Sequence, residues 1–352
     1  MAKRSKGSDE IFESDRVAGF PHPRESESLL GQDAALALAA AALRGGRPPH
    51  AWLITGPPGI GKATLAYRMA RYLLRHGATD EGPADLSVAK EDSVTRQVTA
   101  RAHSGLLVLK RGINPKTGKP QTELPVDEVR RLSGFFGMTA GAGGWRVAIV
   151  DPADDMNENA ANALLKQLEE PPEKAMLLLL SHRPGRLLPT IRSRCRRLEL
   201  RPLPDMVVER ALSDFLPEME SGERLALAHL SGGSIGAALT LAEGDGAMLA
   251  KETEHVIERA REPDLVALYA LGEKIARIRD GLPLFGDFLT AALQERIVKR
   301  ARAGGETKVW AEAASRLEEL FARADGLNLE PRQTVWTAAR MLAATARRAE
   351  PV

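Results

Sequence analysis

The stretch Gly56-Pro57-Pro58-Gly59-Ile60-Gly61-Lys62 restricts the fold of this chain more than any other feature of it. Trp52-Leu53-Ile54-Thr55, directly before it, is a short apolar run suited to a buried strand. Behind it Leu65, Met69, Tyr72 and Leu73 recur at helical spacing. Strand, glycine-rich turn and helix in that order give the spacing of a phosphate-binding P-loop, whose glycines let backbone N–H groups face an anion while a lysine adds positive charge. The expected cradle is Gly56, Gly59, Ile60, Gly61, Lys62, Ala63 and Thr64. A bare glycine-rich loop is a weak sign, and the flanking strand and helix are what make this one specific for fold.

Three further apolar runs, 106–109, 147–150 and 177–180, are separated by segments long enough for crossover helices, so a parallel α/β sheet is expected. Residues 112–118 are turn-rich, 126–132 resume a helix, and a helix over 157–170 must stop at Pro171-Pro172. After Pro202 and Pro204 strand signals cease, and the last two helices fall at about 307–323 and 332–348. The expected class is therefore α/β followed by all-α. Residues 1–28 read as a polar, poorly ordered leader without chemistry, 29–202 as a P-loop sheet domain, 203–245 as a small three-helix lid, and 246–352 as a larger helical domain.

A chain of 352 residues with net charge +2 lacks the strongly basic balance of a protein that grips nucleic acid unaided. Its one cysteine, Cys195, excludes an intrachain disulfide and a cysteine-rich zinc site, which fits a reducing compartment and makes the cytoplasm the expected location. The opening residues carry no apolar signal core, and the longest apolar run, 34–43, is too short to span a membrane.

The P-loop departs from a hydrolytic one. The residue after Lys62 should bear a hydroxyl for Mg²⁺, and Ala63 cannot. Thr64 is one position on, rotated about 100° around the helix and away from the phosphates. Asp151, closing the run 147–150, occupies the place of the metal-holding carboxylate. Pro152 follows where a water-activating glutamate belongs, a loss worth ~10²–10⁴ in rate. Asp154 and Asp155 read as helix N-terminal acids suited to the dipole. No metal ligand set stands out, and ATP or ADP, if held, would lack competent metal-dependent hydrolysis.

Between 183 and 201 lie Arg183, Arg186, Arg192, Arg194, Arg196, Arg197 and Arg201 against one acid, Glu199, and the plain reading of most is a solvated helix face. Ser193-Arg194-Cys195 differs in following the fourth apolar run by one short helix. Together with Asn162-Ala163-Leu164-Leu165-Lys166, Leu168-Glu169-Glu170-Pro171-Pro172 and Leu188-Pro189-Thr190-Ile191-Arg192, it resembles the signature of bacterial DNA polymerase III clamp-loader subunits, in the AAA+ family. Leu30-Gly31-Gln32, Pro49-His50-Ala51 and 126–130 are further local matches, and the likeness is strong over 29–240.

The resemblance implies that Arg194 is an arginine finger, reaching the ATP of a neighbouring subunit, and that 246–352 join an oligomeric collar. Gly236, in the segment 231–239, stands where the family's small-domain sensor arginine would be. Ala63, Pro152 and Gly236 together resemble the family's non-hydrolysing stator member, whose implied partners are gamma/tau and delta subunits, with the sliding clamp and primed DNA met through the complex. Many relatives carry a four-cysteine zinc module after the P-loop helix, but 77–105 hold no cysteine, so zinc is not expected. The rival readings are an active gamma/tau-like ATPase with an unusual metal site, and a stand-alone P-loop protein.

Overall fold

The computed structural model describes residues 17, 19–113, 121–137, 144–219, 221–243, 246–278, 280–327 and 329–348. Most of the turn-rich stretch 112–118 lies outside these. The chain divides into two compact units with the boundary between Leu203 and Pro204.

The first unit is built on five strands: β1 (Ala51–Thr55), β2 (Leu106–Leu109), β3 (Arg146–Val150), β4 (Ala175–Ser181) and β5 (Arg196–Glu199). They lie in the order β2-β3-β4-β1-β5, and every pairing is parallel. Alternation along the strands sends side chains to two cores. Trp52, Ile54, Val147 and Ile149 join the face covered by α1 (Asp33–Arg44), α2 (Lys62–His76) and α3 (Ser93–Thr99). Leu53, Ala148 and Val150 join the other face, under α4 (Val126–Gly137), α5 (Glu158–Glu169) and α6 (Pro189–Arg194). Burial of both faces is what made β1, β3 and β4 read as unbroken apolar runs.

Three features differ from the sequence expectation. The arginine-rich stretch is not one helix face: it runs through α6 into β5, an edge strand on which only Leu198 is buried. Arg196 stacks over Trp52, 5.2 Å from the ring centre. α3 was not anticipated, and it is short and capped by Asp92, whose carboxylate accepts from the Val94 amide. The described end of the leader is packed against α2 rather than loose. Arg71 donates to the carbonyls of Arg24 and Ser26, both at 2.8 Å, and Arg68 to that of Glu27 at 2.6 Å. Two buried guanidiniums need acceptors, and this backbone supplies them. Burial, with Arg68 alongside, still pulls the Arg71 pKa down to about 10.

The second unit is helical throughout: α7 (Asp205–Phe215), α8 (Ser221–Leu230), α9 (Ile235–Ala242), α10 (Gly246–Glu258), α11 (Leu265–Arg277), α12 (Gly281–Arg302), α13 (Lys308–Leu327) and α14 (Pro331–Ala346). α7, α8 and α9 pack on one another. α10 packs on both α9 and α12, and 204–352 form one unit. Within it α11 lies against α14, and α12 against α13.

Candidate nucleotide site and arginine finger

The loop between β1 and α2 is shaped by three glycines with positive φ. Gly56 has φ +143°, and a Cβ there would lie 2.6 Å from both the Ile60 side chain and the Leu200 carbonyl oxygen. Gly61, at φ +102°, opens α2 with no side-chain cap, so the first amides of the helix keep their N–H groups for another acceptor. Gly59 is also left-handed, at φ +71°, and the buried Ile60 pins the loop into the first core. Gln32 ties the loop down from outside: its amide donates to the carbonyls of Ile60 (3.3 Å) and Arg201 (2.8 Å) and accepts from the Arg201 amide (3.4 Å).

Lys62 is 4% exposed and donates to the Gly56 and Pro57 carbonyls at 2.7 and 2.6 Å. Burial pulls its pKa down to about 8, against the opposing fields of Asp151 and Asp154. The structure thus brings Lys62 and Asp151 into one electrostatic site, as the spacing implied. Asp151 is buried at the end of β3, its amide donating to the Leu109 carbonyl. Ala63 packs against the first core and Thr64 lies half-buried in the first turn of α2.

Asp154 and Asp155 are not the first-turn acids of α5. They form a separate 3-10 turn, and α5 starts at Glu158 with Asn157 as its cap, accepting from the Ala160 amide at 2.9 Å. Asp154 instead binds the end of β4: its carboxylate accepts from the Ser181 hydroxyl (2.6 Å) and from the backbone amides of His182 and Arg183. Asp155 approaches Arg111 to 2.7 Å, and burial pushes its pKa up to about 6, with Arg111 opposing the shift.

Ser181 and His182 were missed by the sequence reading, although a polar pair closing an apolar strand was available as a sign. His182 is held neutral, its pKa pushed down to about 3 by burial and then by Lys62 and Arg183. Its Nδ1 is buried without a hydrogen-bond partner among the described residues.

Arg194 is the last residue of α6. One Nη donates to the Thr190 carbonyl at 3.0 Å, and the other meets the Glu169 carboxylate of α5 at 2.9 Å, with the arginine side chain 37% exposed. Cys195 behind it is buried in the second core, and burial pushes its thiol up to about 12, which removes it as a nucleophile.

Phosphate would fit this cradle: uncapped helix amides, glycines that leave no Cβ in the way, and a buried lysine converge there. Beside Asp151, positions 63 and 152 hold alanine and proline, which offer a metal ion neither a hydroxyl nor a carboxylate.

Residues 31–204 match the family described as "DNA polymerase III, delta subunit". That segment belongs to the family. The chain is 41% identical over 193 residues to the DNA polymerase III subunit delta' of Pseudomonas aeruginosa, covering 54% of this chain and 55% of that one. It is 37% identical over 205 residues to the Escherichia coli delta' subunit, covering 58% of each. A gamma/tau subunit of Mycobacterium bovis is 31% identical over 206 residues, 56% of this chain and 32% of the relative. The match to the delta' relatives spans little more than half their length. The family match, residues 31–204, takes in the cradle, Asp151 and the Arg194 segment. Among the described residues no helix is long and apolar enough to cross a membrane.

Proposed function

We propose that this chain is a delta-prime-type subunit of a DNA polymerase III clamp loader, assembled in the cytoplasm with gamma/tau and delta subunits. In this role it supports ATP-dependent loading of the sliding clamp at primed DNA. Its own cradle, Gly56 to Thr64 with Asp151, accepts the phosphates of ATP or ADP without turning them over, and Arg194 completes the ATP site of an adjacent gamma/tau subunit.

The observation that carries this reading is a mismatch between the two halves of the chemistry. Ala63 and Pro152 stand where a metal-binding hydroxyl and a water-activating carboxylate are needed, while Arg194 lies partly exposed on a short helix at the unit's surface. Gly236, in the place of the sensor arginine, agrees with the first half. A guanidinium suits the second because its planar fork can pair with phosphate oxygens as charge develops in the transition state.

Reconstitution of the complex with Arg194→Ala tests the reading. Fingers of this kind are worth ~10³–10⁵ in rate at the site they serve. A large loss of clamp- and DNA-stimulated ATPase is therefore expected, with the complex still assembled. Unchanged turnover would refute the finger, and brisk Mg²⁺-dependent hydrolysis by the isolated chain, abolished by Lys62→Ala, would favour an active gamma/tau-like enzyme instead.

A further inference from the structure

We propose that Glu169 is a positioning residue for the Arg194 finger, setting the guanidinium in place before the neighbouring nucleotide arrives; this rests on the finger reading above. The two residues belong to separate sequence motifs, Leu168-Glu169-Glu170-Pro171-Pro172 and Ser193-Arg194-Cys195, which the fold brings together where α5 ends beside α6.

Local stability does not account for an acid at this position. Glu169 is the last residue of α5, ahead of Pro171-Pro172, and a carboxylate at a helix C-terminus opposes the helix dipole. The ion pair offsets that cost, but its partners are 37% and 52% exposed, and a pair so open to water adds little to folding. Its effect falls on the arginine. A free arginine samples many rotamers and must surrender them on meeting a phosphate, which weakens the contact.

Here two anchors fix the head group: the Glu169 carboxylate at 2.9 Å on one Nη and the Thr190 carbonyl at 3.0 Å on the other. Of the five N–H donors of a guanidinium, these anchors occupy two, and three remain for phosphate oxygens. The buried Cys195 and Ile191 hold the backbone beneath, and Glu169 shares with the Thr190 carbonyl the fixing of the rotamer.

Freezing one such side chain in advance corresponds to about three- to tenfold in rate. In the reconstituted complex, Glu169→Ala is expected to lower kcat by that factor, to a value between wild type and Arg194→Ala. KM for ATP should stay within about twofold and the melting temperature of the chain should not move. Glu169→Gln keeps the reach and an acceptor oxygen and should recover most of the rate. If Arg194→Ala is crippled while Glu169→Ala matches wild type, the positioning role is wrong and the finger stands. If Arg194→Ala is itself without effect, the finger reading fails and takes this one with it. Loss of assembly by Glu169→Ala would make the residue structural and would equally overturn the proposal.

Discussion

His182 and Asp155 both feel Arg111 and Arg183, yet their folded pKa values move in opposite directions, to about 3 and about 6. The consequences for stability have opposite signs. An unfolded His182 binds a proton below its ordinary 6.5 that the folded protein refuses, so its term makes stability rise with pH between about 3 and 6.5. Folded Asp155 keeps its proton up to about 6 when the unfolded chain has lost it near 3.8, so its term makes stability fall with pH across that interval. Each amounts to about 1.4 kcal/mol per pH unit at most, and between pH 4 and 6 they nearly cancel. Denaturant melts at several pH values should expose them separately. Relative to wild type, Asp155→Asn gains stability as pH rises from 4 to 6, and His182→Gln loses it. Parallel curves for the wild type and both variants would show that neither group is shifted.

Glycines in helices show how neighbouring elements decide a sign that propensity alone would get wrong. Replacing a mid-helix glycine by alanine ordinarily stabilises by about 0.5–1 kcal/mol. Gly134, on the exposed face of α4, has nothing within 4 Å of a built Cβ, and Gly134→Ala should deliver that gain. Gly272 of α11 faces α14 so closely that a Cβ would sit 2.7 Å from the Arg332 Cα, a backbone atom that cannot swing aside. Gly272→Ala should cost about 1–3 kcal/mol in spite of better helix propensity, and a stabilised variant in urea melts would disprove the close approach. The same contrast separates what the sequence made legible from what it hid. β1, β3 and β4 were readable because both their faces are buried, and α2 and α5 because their apolar spacing is regular. β5 was hidden because three of its four residues are charged and exposed and only Leu198 is buried. In the site, the cradle and Asp151 followed from spacing. The roles of Asp154, Ser181 and Glu169 depend on partners distant in the chain, which no local pattern encodes.

Each unit carries two of the four tryptophans, Trp52 and Trp145 in the first and Trp310 and Trp336 in the second, so their unfolding can be followed separately. Gln32→Ala deletes three hydrogen bonds and leaves the carbonyls of Ile60 and Arg201 without that partner. A loss of about 1–3 kcal/mol is expected in the first unit alone. With single-tryptophan variants, the Trp52 transition should shift and the Trp310 transition should hold. Equal shifts would show that the two units melt as one. That amide has a mechanical meaning as well. Leu200 forms the floor beneath Gly56, and Gln32 clamps Ile60 to Arg201, so the segment leaving the sheet is bolted to the loop at two points. Loop and strand exit are thus joined a few residues before the first unit ends at Leu203.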